Sequence, residues 1–89
     1  AVAALDDRPG PVRDALGRQQ RLWLDTLAKA VRLTIDAGHF RPGVDPSLFA
    51  FQLYGIVVAY YHASRLFRDP AAKEHAERAF DAVVAAART

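Results

Sequence analysis

The sequence predicts an all-α fold. It is an antiparallel helical bundle of three long helices plus the end of a preceding helix, and its last two helices pair with those of a second copy as a four-helix dimer bundle. Three observations predict it. The chain has 89 residues, enough for one domain. Hydrophobic residues make up 52% of it, more than a lone three-helix unit can cover. Apolar residues also recur at helical spacing between breaks that contain Pro and Gly.

The first full helix is predicted from Pro11 to Ala37. A break that contains two prolines and a glycine precedes it, and residues 1–5 are interpreted as the end of an earlier helix. Pro11 suits a first helical turn, while Gly38 supplies a left-handed stop. Gly17 costs about 1 kcal/mol inside a helix, so the first turn and a half is expected to be kinked or separate.

The charged residues of this helix form a narrow stripe at steps of three and four from Asp14 to Asp36, which is typical of a solvated face. The opposite face is predicted to be buried, although it includes Gln20 and Thr34. These two side chains either bond to neighbouring helices (or, for Thr34, to its own helix) or line a pocket. Trp23 on the same face is either a core residue or a pocket wall.

The second helix is predicted from Pro46 to Arg68, with Asp45 as its N-cap. Apolar residues point in every direction around it, so more than one side is expected to be buried. Tyr54 and Tyr61 share one face. They either pack in the core or line a mostly apolar pocket, where a phenol hydroxyl can orient a ligand.

Three small residues, Gly55, Ala59 and Ala63, follow one another along the second helix at four-residue steps. Residues at this spacing lie on one face, and small side chains there let another helix backbone come close. That other helix belongs either to a second copy or to the same chain. His62 lies near this row, and an interfacial hydrogen bond is its expected role.

The third helix is predicted from Pro70 to Arg88, again after an Asp-Pro pair. Its apolar face is rich in alanine and includes Phe80 and Val83, whereas charged residues occupy the opposite face. Two such helices from each of two copies give the smallest bundle that encloses all of these apolar faces.

Composition argues against several kinds of function. The chain has no Cys, which excludes disulfides and thiolate zinc sites and fits a cytoplasmic location. His39, His62 and His75 lack metal-ligand spacing, and no paired carboxylates occur at the predicted buried positions, so we expect no metal, cofactor or enzymatic activity. The net charge of +2 is spread along the chain, which disfavours a DNA-binding face. The longest apolar stretch, residues 48–63, is too short to span a membrane.

In their order along the chain, these features resemble the C-terminal domain of the tetracycline-repressor family. The stretch DAGHFRPGVDPSLFAFQLYGIVVAYYHASRLFRDP, followed by an Ala-rich amphipathic helix, carries the resemblance, which covers about Asp14 to the end of the chain. The matching residues are Ala37-Gly38, Asp45-Pro46, Ala50, Leu53, Gly55, Leu66, Asp69-Pro70 and Phe80. Each motif is loose, and their order is more specific than any one of them.

The resemblance implies that residues 1–89 are the effector-binding and dimerisation domain of a transcriptional repressor. Its N-terminal helix-turn-helix, which this sequence lacks, would bind a DNA operator. Because the sequence also lacks Met, we expect Ala1 to lie inside a longer protein. The expected partners are a second copy, in a homodimer, and a small, mostly apolar effector. The alternatives are a helical adaptor that binds a protein and no ligand, and a small helical enzyme subunit.

Two sets of residues are therefore candidate sites, one for the effector and one for the second copy. The predicted effector contacts are Gln20, Trp23, Leu27, Val31, Thr34, Tyr54, Val57 and Tyr61. The predicted dimer contacts are Gln52, Gly55, Ala59, His62, Ala63, Leu66, Ala72, Ala76, Ala79, Phe80 and Val83.

Overall fold

The computed structural model describes residues 10–89 and contains three helices in this range. They are α1 (Pro11–Asp36), α2 (Pro46–Arg65) and α3 (Ala72–Ala87). No strand occurs among the described residues, which confirms the all-α prediction. The predicted end of a preceding helix, residues 1–5, lies outside the described range. Pairing with a second copy stays a prediction.

Helix α1 begins and ends at the two signals that the sequence predicted. Pro11 is its first residue, and Gly38 adopts a φ of 85°, a left-handed conformation that favours glycine. The Gly38 amide donates to the Ile35 carbonyl at 2.9 Å, which closes the helix end. The helix continues through Gly17, so the predicted separate first turn does not occur. One glycine in a 26-residue helix costs too little to break it.

Helix α2 begins at the predicted N-cap, where the Asp45 carboxylate accepts hydrogen bonds from the amides of Ser47 and Leu48 at 3.0 and 3.2 Å. It ends at Arg65, three residues earlier than the predicted end at Arg68.

Helix α3 begins at Ala72 and not at the predicted Pro70. Asp69 accounts for this difference, because it organises a turn in place of a helix start. Its amide donates to the Ala63 carbonyl at 2.8 Å, and its carboxylate accepts from the Ala71 amide at 2.9 Å. Arg68, with a φ of 50°, reverses the chain direction just before it.

The hydrophobic core lies at one end of the molecule, where the C-terminal ends of α1 and α3 meet the N-terminal end of α2. Helix α2 packs against both other helices, and α1 and α3 contact each other only weakly. Val31, Phe49 and Ala87 are the buried centre of this core, and the rings of Phe40 and Phe49 lie 5.2 Å apart. The other residues packed against it are Ile35, Val44, Leu53, Val83 and Val84.

The loop between α1 and α2 holds the end of α3 in place. The Arg41 guanidinium donates two hydrogen bonds to the Ala86 carbonyl, at 3.1 and 2.7 Å, and the Arg41 amide donates to the Ala87 carbonyl at 2.8 Å. The Thr89 amide donates to the His39 carbonyl at 3.3 Å. A cation at a helix C-terminus is also favourable for the helix dipole. The loop that follows α1 is therefore hydrogen-bonded directly to the C-terminal end of α3.

Away from this end, much apolar surface is uncovered. Six residues are buried in the described range, none of them polar or charged, while thirteen large hydrophobic side chains are exposed. Large contiguous apolar patches are typical of protein–protein and ligand-binding surfaces in general. No helix in the described range is both long and apolar enough to span a membrane.

Candidate functional site: an apolar groove and an aromatic pair

An open groove of about 520 Å³ runs between α2 and α3. Its lining residues are Gln52, Gly55, Ile56, Ala59, Tyr60, Ala63, Ala72, His75, Ala76, Ala79 and Val83. Eight of the eleven predicted dimer contacts are among them. None of the lining residues is Asp, Glu, Lys or Arg. The structure therefore places most of this predicted set in one uncharged, mostly apolar surface.

The small residues of α2 face α3 of the same chain, as one of the two sequence interpretations expected, yet they leave open space beside it. Gly55 shows this most clearly, because a Cβ atom added there would meet nothing within 4 Å. A glycine inside a helix costs about 1 kcal/mol relative to alanine. Packing among the described residues does not require Gly55, whereas close approach of another chain would.

The other three predicted dimer contacts lie outside the groove lining. Leu66 and Phe80 are 65% and 46% exposed, and half-buried His62 lies with its ring 6.2 Å from that of Tyr61. Leu48 and Phe51 on α2 are also exposed and were not among the predicted contacts. Apolar residues occur all round α2 in the sequence, and this pattern could have identified both Leu48 and Phe51 as exposed apolar contacts.

Three groove residues, Ile56, Tyr60 and His75, were not predicted. Ile56 and Tyr60 follow Gln52 by one and two turns of α2, and His75 lies one turn before Ala79 on α3. The spacing therefore placed all three beside predicted contacts. Their larger side chains did not fit the pattern of small residues that guided the sequence prediction.

The structure places the rings of two predicted effector contacts against each other. The rings of Trp23 on α1 and Tyr54 on α2 lie 5.6 Å apart with an interplanar angle of 55°, a geometry that stabilises aromatic pairs. Leu27 is half-buried on the same helix as Trp23. Val31 is buried in the core. The Thr34 hydroxyl donates to the Ala30 carbonyl at 2.8 Å, so its hydrogen bond goes to its own helix.

The remaining predicted effector contacts are exposed. Val57 and Tyr61 are 52% and 53% exposed, and the Arg65 guanidinium lies 5.5 Å from the centre of the Tyr61 ring. Gln20 lines an open depression of about 540 Å³ beside Tyr54. The other residues around this depression are Arg13, Asp14, Leu16, Gly17 and Arg18.

The prediction of a fully buried α1 face is wrong at its N-terminal half, where Leu16, Gln20 and Trp23 are exposed. The reason is that, in the described chain, α2 is the only element that packs closely on α1. The aromatic pair thus lies at the edge of uncovered apolar surface. No group of three metal-binding side chains occurs within residues 10–89.

Comparison with protein families identifies the class. A family model described as the tetracyclin repressor-like C-terminal domain matches residues 1–80. The chain belongs to this family, and it is accordingly a regulatory domain of a tetracycline-repressor-type transcriptional regulator. Comparisons with curated proteins and with solved structures gave no match.

Proposed function

We propose that this chain is the effector-binding and dimerisation domain of a transcriptional repressor. In this proposal it pairs with a second copy, binds a small and mostly apolar effector, and catalyses no reaction. An N-terminal helix-turn-helix, outside this sequence, binds the operator. The observation that carries the proposal is the uncharged groove between α2 and α3, because it unites most of the predicted dimer contacts in one open surface.

The occupant of this groove is a second copy of the chain. Covering an uncharged, mostly apolar surface removes it from water without leaving a charge unpaired. The open space above Gly55 gives a partner helix room to approach. Leu66 and Phe80 extend the apolar surface beyond the groove. Two helices from each copy then form a four-helix bundle whose two-fold axis brings equivalent residues together.

The effector binds against the other side of α2, where Trp23 and Tyr54 form the aromatic pair. Neighbouring Leu27 is half-buried, and exposed Val57 and Tyr61 follow along α2, so most of this surface is apolar. Such sites use few polar groups to orient a ligand. Because the Thr34 hydroxyl already donates to its own helix, Gln20 and the tyrosine hydroxyls remain as the predicted contacts for this role, and Arg13, Asp14 and Arg18 also line the depression beside Tyr54. The effector would bias the DNA-binding half only through its difference in affinity between two conformations.

Screening by thermal shift tests the effector site on the intact protein. A compound that raises the melting temperature should bind less tightly to Trp23→Ala and, if it contacts the phenol, to Tyr61→Phe. Lys29→Ala, on the charged stripe of α1, is the control and should bind normally. If a confirmed effector binds all three variants with the parent affinity, the pocket lies elsewhere. An intact protein that is monomeric and captures no small molecule would favour the adaptor function instead.

A further inference from the structure

The open depression beside Tyr54 differs from the rest of the proposed effector surface because charged side chains line it. Arg13, Asp14 and Arg18 contribute two positive charges and one negative charge. Its volume of about 540 Å³ lies in the range of small-molecule sites. We propose that this depression binds an anionic group of the effector, which is then an apolar monocarboxylate and not a neutral compound. This inference rests on the proposed effector site and names the chemical class of its ligand.

Arg13 lies in line with the apolar residues of α1. Counting back from Trp23 in steps of three or four residues gives Gln20, Leu16 and Arg13, so all four share one side of the helix. Tyr54 of α2 lies on this side, because its ring packs against Trp23 and it also lines the depression. Charges of a solvated helix face lie on the side opposite the apolar row. A cation at the end of that row instead matches a ligand with an apolar body and one anionic end.

Gly17 leaves space for such an anionic group. It lines the depression one turn after Arg13 and directly before Arg18. A Cβ atom added at Gly17 would meet nothing within 4 Å, so packing in the described chain does not require a glycine there. A glycine inside a helix is destabilising relative to alanine. A carboxylate placed over Gly17 would lie beside two guanidinium groups, which bind carboxylates with paired, charge-assisted hydrogen bonds.

The distance along α1 fits one small molecule. Gly17 and Trp23 are six residues apart, which is about 9 Å along a helix axis. An effector whose carboxylate lies over Gly17 therefore reaches the aromatic pair with an apolar body of that length. Gln20 lies between the two ends and also lines the depression, so its amide can donate to the same carboxylate.

Asp14 limits the charge that the depression accepts. It lies one turn before Arg18, a spacing at which exposed ion pairs are weak, and no ion pair joins these two side chains in the described chain. Two arginines and one aspartate give the lining a net charge of +1. One ligand carboxylate balances this charge and a second would not. Removing the Asp14 charge should therefore strengthen anion binding, whereas removing the charge of Arg13 or Arg18 should weaken it.

The test measures binding to the intact protein by calorimetry at constant ionic strength, with probes that differ in charge. Octanoate, decanoate and naphthoate are the anions, and their primary amides are the neutral matches. The corresponding alkylammonium and naphthylmethylammonium ions are the cations. We expect the acids to bind about 10-fold more tightly than the amides, because a hydrogen bond to a charged group is stronger than a neutral one. The cations should bind least tightly.

Three variants test which side chains distinguish these probes. Arg13→Gln and Arg18→Gln should each weaken acid binding about 10-fold, and Asp14→Asn should strengthen it. None of the three should change amide binding, and this comparison separates a lost charge from a damaged fold. Arg32→Gln, on the charged stripe of the same helix but outside the depression lining, is the matched control and should bind like the parent.

Three outcomes overturn the inference. Acids and amides that bind the parent equally would show that the depression does not select for charge. Acid binding that survives unchanged in Arg13→Gln and Arg18→Gln would place the anionic group elsewhere. Cations that bind most tightly would reverse the sign of the ligand charge. Weaker amide binding by Trp23→Ala would support the proposed effector site even then, whereas no binding of any probe at millimolar concentration would refute both, so the two failures are distinguishable.

Discussion

Ala59→Glu tests the dimer surface most directly. Ala59 lies in the groove lining between Gly55 and Ala63, and it is exposed in the separate chain. A glutamate there would remain hydrated in the monomer, where its main cost is the few tenths of a kcal/mol that separate Glu from Ala in helix propensity. In the dimer the same side chain would lie in an interface whose lining residues carry no cation.

Two terms set the size of the expected effect on dimerisation. Symmetry introduces two glutamates, and two like charges about 8 Å apart at an effective dielectric constant of about 20 repel by about 2 kcal/mol. Desolvating unpaired charges adds at least a similar amount. The sum of about 4 kcal/mol corresponds to a roughly 1,000-fold weaker dimer.

Light scattering with sedimentation measures this change in the intact protein. We expect Ala59→Glu to be monomeric or aggregated at micromolar concentration. Ala85→Glu is the matched control, because Ala85 is exposed and does not line the groove. Glu77→Ala should also remain dimeric, because it removes only the exposed ion pair with Lys73, which is worth less than about 1 kcal/mol. A parent protein that is monomeric, or an Ala59→Glu variant that remains dimeric, would show that the interface is assigned wrongly.

Three further predictions follow from other features of the molecule. Gly55→Ala should raise helix stability by up to about 1 kcal/mol yet weaken the dimer, because its Cβ meets nothing in the described chain but would meet a partner helix. Denaturation measures the stability and sedimentation measures the dimer Kd, with Gly17→Ala as the control. Equally tight dimers in the two variants would contradict the prediction. Arg41→Ala should lower the free energy of unfolding by about 1–2 kcal/mol and speed amide hydrogen exchange at the end of α3, because two hydrogen bonds to the Ala86 carbonyl are lost. Unchanged exchange there would show that the loop does not hold the end of α3. The 89-residue chain by itself should show at most weak, salt-sensitive DNA binding in an anisotropy titration, because its net charge is only +2, and nanomolar sequence-specific binding would refute this.

Helix existence and most helix boundaries were predictable from local signals. Pro11, Gly38 and the Asp45 N-cap act through backbone geometry and short-range hydrogen bonds, which the sequence encodes directly. The boundary around Asp69 was not predictable in the same way. Its carboxylate and amide bind within a turn, and an Asp-Pro pair alone does not distinguish such a turn from a helix start.

The sequence by itself also determined that α2 has more apolar surface than one neighbour can cover, because this depends only on which residues recur at which spacing. Only the tertiary structure decided what each side of α2 meets. It placed Gly55 and Ala59 beside α3 while leaving a groove, and it put His75 in that groove from a different helix. It also buried Val31 and left Gln20 exposed on one face of α1. The physical reason is that burial depends on where distant helices lie, and helical periodicity specifies a direction but not what occupies it.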